Sequence, residues 1–595
     1  MKAFLALFRD LLSVLPPHAR RFIVGYSIAQ ALLAIFDAIS LGLLAIVISP
    51  LVSNSAVSLP LVGQVEGVGL VVIIGVVCLL VLTKGLLSVL LLWYATRQFA
   101  RFELTMGARL FDTYIASSWV ERLKRNSSDL VRLVDGSIAV TISSVLLPGS
   151  ALLGELFTFV TVVTVLAVAQ PLVAVIAFFY LGLIGALLFF WVTKRSRQAG
   201  RVNLRYSLKV SRLITEMVGA LKEITLRNKA KEVAEVVREN RVHTSRARAN
   251  IQFLAQIPRY VLETGIIGGF AIVGLAGFLT GGLTVALTAV ALFSLAGFRM
   301  APSIVRFQNI VSQITANTPH AKRVIEEIER SEHTTREHQS RPTKSLAERP
   351  DSLELSDVSF KYNEEAKHAV NGVNITIPFG STVAFVGASG AGKSTIIDLV
   401  LGLIEPTEGS ISIDSVPLTE LTESWRSRVA YVPQDVALFD SSVAQNVALT
   451  WGDEIDRERV RAALEQAQIL NAVNARPNGI DGMIGERGLT LSGGQRQRLG
   501  IARALYANPL VLVMDEATSA LDTATEAAVT DAIKRLRGSM TIITVAHRLS
   551  TVMHSDQIFF MNSGRVAAQG TFDELVKSVP EFARQAGLAG LTGKS

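Results

Sequence analysis

Six stretches of this sequence, residues 22–52, 68–94, 139–168, 172–192, 251–279 and 283–307, are apolar over lengths that a soluble core rarely uses. A membrane-spanning helix needs about 20 mostly apolar residues to cross a hydrocarbon core of about 30 Å, and with no water there every backbone N–H and C=O has to be paired within the segment. Each stretch meets that length, and the longer ones fit helices that tilt or run on past the lipid. The first half of the chain is therefore predicted to be an α-helical transmembrane bundle of six helices.

Charge orients the bundle. The connections at 53–64, 169–171 and 280–282 contain neither Lys nor Arg, whereas Arg20 and Arg21, then Arg97, Arg101 and Arg109, then Lys194, Arg195, Arg197 and Arg201 crowd the opposite ends. Basic residues accumulate on the cytoplasmic side of membrane segments. The N-terminus and the two long connections, 96–136 and 193–250, are thus expected in the cytoplasm, on the inner face of a bacterial-type cytoplasmic membrane. Both connections are polar and poor in Pro and Gly, a pattern of helices carried on into the cytosol far enough to reach a motor domain. The same asymmetry accounts for the net charge of +8. Basic residues lie beside apolar spans rather than on one folded surface, which argues against a nucleic-acid partner and for membrane lipids. Residues 1–21 form an amphipathic basic stretch with no cleavable signal expected. The single cysteine, Cys78, sits in an apolar run, facing lipid or packing, and forms no intrachain disulfide.

Residues 331–351 are polar, charged and without apolar periodicity, the composition of a linker. They separate a membrane domain at 1–330 from a second domain at 352–587, followed by a tail at 588–595. In the second domain short apolar strand candidates at 383–386, 429–432, 510–514 and 541–545 alternate with helical patterns, an α/β arrangement. Directly after the first of these strands, residues 387–394 read G-A-S-G-A-G-K-S. This is the P-loop pattern in its required strand-to-helix setting. Backbone N–H groups across Gly387, Ser389, Gly390, Ala391 and Gly392 turn inward around phosphates, and Lys393 reaches the β and γ phosphates. The Ser394 hydroxyl suits Mg²⁺, and Thr395 opens the helical run that follows. Residues 511–516, V-L-V-M-D-E, form a buried strand ending in two carboxylates, Asp515 for the metal and Glu516 as the general base on the attacking water. His547, at the end of the next strand, is placed to polarise the γ-phosphate. ATP and Mg²⁺ are the predicted cofactors of this α/β P-loop ATPase domain.

At 491–495 the residues read L-S-G-G-Q, ahead of a helical run. This resembles the signature of the ABC transporter family, and the resemblance extends position by position. Tyr362 resembles the aromatic that stacks on adenine, and Gln434 the glutamine that senses Mg²⁺ and the membrane domain. Residues 485–488 resemble the exporter segment that contacts the coupling helices, Asp522 the dimer-contacting aspartate, and His547 the switch histidine. The resemblance implies that Ser492, Gly493, Gly494 and Gln495 close over a γ-phosphate held by a second subunit. One P-loop and one signature per chain then require two chains, and because Lys393, Glu516 and the whole signature are intact, a homodimer is implied. The implied activity is ATP hydrolysis coupled to export by alternating access, with the cytoplasmic helices relaying closure of the ATPase pair.

The cargo is read from polar residues inside the spans. Asp37, Lys84, Glu155, Glu263 and Arg299 lie in apolar runs, where a charge costs about 2.5–3.5 kcal/mol at the centre of a lipid-exposed helix, so they are expected to face the interior or an interface. Arg299, Ser303 and Arg306 share one helical face, and guanidinium groups suit phosphate oxygens. The alternative is that Arg299 pairs with Glu155 or Glu263 while Arg306 is already cytosolic; Arg259 and Glu263 form a second candidate pair. Residues 220–227 (ALKEITLR), 258–263 (PRYVLE) and 298–306 (FRMAPSIVR) are similar to segments of the PglK-like lipid-linked oligosaccharide flippases. That similarity implies a polyprenyl-pyrophosphate glycan as cargo and gives Lys84, Arg299 and Arg306 its head group to hold. It also implies an external helix between the first two spans, for which residues 53–64 are brief and Pro-containing. A multidrug, lipid or peptide exporter of the same architecture is the rival reading.

Overall fold

The computed structural model describes residues 2–591, except 54–56, 60–62, 66–67, 124–126, 170, 340–343, 453, 486–487, 518–525, 527–528, 532–534, 536–537 and 547. The chain divides into two units, one of Met1–Ser117 with Glu121–Arg336, the other of Ser118–Val120 with Glu337–Ser595.

The first unit is helical. An amphipathic helix, Lys2–Val14, precedes the long helices Pro17–Ser53, Val68–Ala116, Leu147–Ala169, Pro171–Gly219 and Ala230–Gln339. By length and composition, five helices among the described residues can cross a membrane, where the sequence suggested six. The difference has a local cause. The last two apolar stretches belong to one helical element interrupted at Gly281 (φ −159°, ψ 18°) and Gly282 (φ 75°, ψ −163°). A left-handed φ of this kind is open to glycine at no steric cost. The two arms fold back on each other: a Cβ at Gly277 would lie 2.9 Å from Cα of Ala286, and one at Gly269 would lie 2.4 Å from the Phe293 ring. Small residues that let helix backbones approach are the usual glue of membrane bundles, where lipid removes the hydrophobic drive between helices.

The polar connections are largely helical: Val68–Ala116 runs on into the first, followed by the short helices Trp119–Leu123 and Ser127–Val131, and Pro171–Gly219 and Ala230–Gln339 form the two sides of the second. The tip of the second is a short helix, Leu221–Leu226, followed by Asn228 at φ 53°. The last long helix continues to Gln339, inside the segment whose composition suggested a linker. Between the first two long helices, Val57–Leu59 pairs antiparallel with Gly63–Val65, and no external helix occurs among the described residues there.

Where the long helices leave the apolar stretches they hold a polar cluster. His320 is buried, its Nδ1 lies 3.2 Å from Ser137 Oγ, and Asp129 accepts from Arg212 (3.1 Å) and Arg323 (3.3 Å). Burial first, then the cations Arg132, Arg248 and Arg323, hold the His320 pKa down to about 4. At pH 7 the imidazole is neutral folded or unfolded. Below 6.5 the unfolded chain takes up a proton that the folded chain refuses until about 4, so stability falls across that interval by about 3 kcal/mol. Thermal unfolding of the detergent-purified protein is expected to weaken from pH 7 to pH 4.5, and His320→Gln to flatten part of that dependence; an unchanged slope would contradict the assignment.

The second unit is built on two sheets. A six-stranded sheet has the order Arg565–Gly570, Gln557–Asn562, Thr382–Gly387, Thr541–Val545, Val511–Asp515, Val429–Val432, parallel except at its first strand. An antiparallel sheet of Val370–Pro378, Ser352–Phe360, Glu408–Ile413 and Val416–Pro417 stands beside it. Between them the helix Lys393–Val400 buries Ile396, Ile397, Leu399 and Val400 against Phe385, Phe559, Val513 and Trp425. Trp425 is fully buried and its indole N–H donates to Val400 O at 2.8 Å, which satisfies the polar tip of a large core side chain.

Candidate functional site

Ligands of open parallel sheets bind beyond the carboxyl ends of the strands. Here the register aligns Val545 with both Phe385 and Asp515, so the segments after three neighbouring strands emerge side by side. They carry the 387–394 loop, Glu516 and Ala546.

The loop turns on glycines for steric reasons. Gly392 caps the helix Lys393–Val400 at φ 98°, and a Cβ there would sit 2.4 Å from Ala369 O. At Gly387 a Cβ would sit 2.3 Å from Met561 O. Lys393 is buried at the helix start and its Nζ donates to Gly387 O (2.7 Å) and Ala388 O (3.0 Å), arching over the loop. Burial lowers its pKa, while Glu516 and Asp515 pull it back up. The ammonium is thus placed between the loop and two carboxylates, the position from which it can meet an incoming phosphate. Ser394 is exposed beside it and Thr395 is buried. Tyr362 Oη lies 3.2 Å from Thr395 Oγ1, and its ring stands edge-on to Phe360 at 5.0 Å, so the aromatic is fixed against the loop helix.

On the far side of the loop, Glu516 takes a left-handed backbone (φ 49°) and its N–H donates to Val545 O at 3.1 Å. A non-glycine residue in that region is sparsely populated and tends to occur where side-chain direction matters. Gln434 Nε2 donates to Glu516 Oε2 at 2.9 Å, and Tyr431 Oη donates to Asp515 Oδ2 at 3.3 Å. Two members of this group were not singled out from sequence. Tyr431 is the exposed residue between buried Ala430 and Val432 in its strand, an alternation that points it away from the core. Asp398 is an acid in an otherwise apolar helical run, and burial followed by the Asp515 charge raises its pKa to about 6.

The signature residues sit at another helix start. Ser492 caps the helix Gly493–Tyr506, accepting from Gln495 N at 3.3 Å while Gln495 Oε1 accepts from Ser492 N at 2.9 Å. This reciprocal box fixes the first turn. Gln497, buried in the same helix, donates to Pro433 O at 3.1 Å, so the signature helix braces the segment that carries Gln434. The side chains of Ser492 and Gln495 each accept from the other's backbone N–H. The predicted site residues Asp522 and His547, and residues 486–487 of the 485–488 segment, lie outside the described residues.

In the membrane unit the charged residues find partners. Arg306 Nε donates to Glu155 Oε1 at 2.7 Å, and Ser303 Oγ donates to Glu155 Oε2 at 3.0 Å. Arg259 Nε donates to Glu263 Oε1 at 2.9 Å. Glu155 is therefore engaged by Arg306 and Ser303, and Glu263 by Arg259. The Arg306 side chain stays 55% exposed while Glu155 is 18% exposed. Lys84 is half-buried on the helix Val68–Ala116, and the side chains of Asp37 and Arg299 are outside the description.

A family model described as ABC transporter matches residues 370–519, which contain the loop, the signature and the paired carboxylates. An ATP-dependent lipid A-core flippase of Methylococcus capsulatus is 34% identical over 431 residues, 71% of this chain and 70% of that protein. An alignment of that length cannot be held within Glu337–Ser595 and runs well into the membrane unit. The chain belongs to the ABC transporter family. Like-named flippases of Burkholderia orbicola (41% over 233 residues) and Polaromonas sp. (46% over 225 residues) match over only 39% and 38% of their own length. The chain thus aligns with about two-fifths of those relatives. A bacterial Atm1-family ABC exporter solved with ATP bound shares the fold, with a TM-score of 0.73 at 22% identity over 98% of this chain and 100% of that one.

This ABC transporter has the fold of an ABC exporter, a helical unit with spans long and apolar enough to cross a membrane followed by one ATP-binding unit. Its donor set also fits Mg²⁺, a hard cation that takes oxygen ligands and keeps several waters. Ser394 offers a hydroxyl, Asp515 a carboxylate and Gln434 an amide oxygen. Bound there, the metal would neutralise phosphate charge. Among the described residues no group of three or more His, Cys, Asp or Glu side chains is placed to hold a metal by itself.

Proposed function

We propose that two copies of this chain form an ATP-hydrolysing flippase of the cytoplasmic membrane, with the N-terminus and ATPase units in the cytoplasm, whose cargo is a phosphate-bearing glycolipid. The observation that carries this reading is the match to a lipid A-core flippase that extends into the membrane unit. The local chemistry supports it. Only Nε of Arg306 has a partner among the described residues, and its side chain remains half-exposed, so the terminal amines of the guanidinium are available to phosphate oxygens. Lys84 and Arg299 are assigned to the same head group.

In the ATPase unit, Lys393 and the loop N–H groups bind and orient the phosphates. Glu516 accepts a proton from the attacking water, held in line by Gln434, and His547 polarises the γ-phosphate. Tyr362 stacks on adenine. Ser492, Gly493, Gly494 and Gln495 of the second copy complete the enclosure, with Asp522 at the contact between copies. Because each copy has a complete set, both sites work.

Two glycolipid classes fit: a saccharolipid of the lipid A-core kind, and the polyprenyl-pyrophosphate glycan implied by 220–227, 258–263 and 298–306. The first is favoured by the longer match. The test is reconstitution in liposomes with each glycolipid and with uncharged hydrophobic drugs. Glycolipid is expected to stimulate ATPase activity and to cross the bilayer, and Arg306→Gln to raise its half-saturating concentration roughly tenfold with basal hydrolysis unchanged. Stimulation by drugs alone would overturn the reading.

A further inference from the structure

Two helices that leave the apolar region side by side enclose a cleft of about 340 Å³. One contributes Trp191, Arg195 and Gln198 from the helix Pro171–Gly219, the other His243, Arg246, Asn250 and Phe253 from Ala230–Gln339. The residues fall at helical spacing on each side, and the contacts of Arg248 with Asn203 and of His243 with Tyr206 make the helices antiparallel along the cleft.

Its chemistry changes along that axis. Trp191, Phe253 and Leu254 line one end, where both apolar stretches stop. Tryptophan at such a boundary is at home at the level of lipid head groups. The middle is cationic and amide-lined through Arg195, Arg246, Gln198 and Asn250, and the other end is closed by His243, whose ring stacks on Tyr206 with centroids 4.3 Å apart. No carboxylate lines the cleft. Among the described residues neither Arg195 nor Arg246 has an ion-pair or hydrogen-bond partner, unlike Arg259, Arg306, Arg212 and Arg323, each of which has found an acid. Two guanidinium groups facing one open space without a counter-charge call for an anion, and planar forks suit phosphate in particular. The apolar end, placed on the membrane side, calls for an acyl chain.

We propose that this cleft binds the phosphate head group of an anionic lipid of the cytoplasmic leaflet, with its acyl region lying against Trp191 and Phe253. The site is on the flank of the two helices and is independent of which cargo the bundle carries. Free phosphate shares the head-group chemistry but leaves the apolar end unused.

The test uses the full-length protein purified from vesicles of phosphatidylethanolamine with and without phosphatidylglycerol, with retained lipid counted by native mass spectrometry. Wild type is expected to keep phosphatidylglycerol selectively, and Arg195→Ala with Arg246→Ala to weaken that retention roughly 30-fold. Asn250→Glu, which places a carboxylate in the cleft, is expected to do the same and stands in if the double variant fails to fold. Arg197→Ala with Arg201→Ala removes equal charge from the same helix outside the cleft and is expected to leave retention intact. Equal loss in both double variants would mean a diffuse electrostatic attraction and overturn the proposal. Displacement of the lipid by inorganic phosphate at matched ionic strength would overturn it too, in favour of a soluble anion.

Discussion

Glu516→Gln is expected to lower steady-state ATP hydrolysis by about two to four orders of magnitude, the usual contribution of a positioned general base, while ATP binding stays near wild type. The structure gives reasons for both halves of that expectation. Glu516 is held at a left-handed backbone angle with its carboxylate on Gln434, so its direction is fixed before any ligand arrives. Glutamine has the same shape and can still meet the Gln434 amide, which leaves the loop, Lys393 and Ser394 undisturbed. What is lost is the acceptor for the proton of water. Phosphate release and equilibrium nucleotide binding, measured on the same preparation, separate the two; hydrolysis at the wild-type rate would remove Glu516 from the base position.

Lys393→Ala should act one step earlier. The ammonium bridges Gly387 O and Ala388 O and is buried beside two carboxylates, so it supplies the positive charge that lets phosphates approach Asp515 and Glu516. Removing a charged partner from a buried, hydrogen-bonded pair typically costs 2–5 kcal/mol, which corresponds to a loss of nucleotide affinity of about 30-fold to several thousand-fold. Fluorescent-nucleotide titration checks it, and an affinity within a factor of three of wild type would contradict the role given to this lysine.

The ATPase unit was legible in the sequence because its chemistry is local. A loop that must wrap phosphates needs glycines where a Cβ would strike Ala369 O and Met561 O, and those contacts leave a mark in the sequence at Gly392 and Gly387. Tyr431 and Asp398 were not legible, because they reach the site only through strand pairing between Val429–Val432 and Val511–Asp515 and through a helix that turns Asp398 toward Asp515. The membrane unit shows the same limit. Apolar runs located its helices, but composition could not tell two separate spans from two arms joined at Gly281 and Gly282. Nor could spacing choose partners for the intramembrane acids. Arg299, Ser303 and Arg306 share a helical face, yet which of them meets Glu155 depends on how the helix Leu147–Ala169 packs; of the two with described side chains, both Arg306 and Ser303 do.

Ser492 and Gln495 close a capping box at the start of their own helix, each side chain accepting from the other's backbone N–H, and in the proposed dimer this helix start meets the nucleotide loop of a second copy. Mixing inactive Lys393→Ala chains with inactive Ser492→Arg chains and reconstituting them together tests this directly. If each site joins the loop of one copy to the signature of the other, mixed dimers regain one intact site, and ATP hydrolysis returns well above that of either variant alone. If the mixture stays as inactive as its components, the site is built within one chain and the dimer account is wrong.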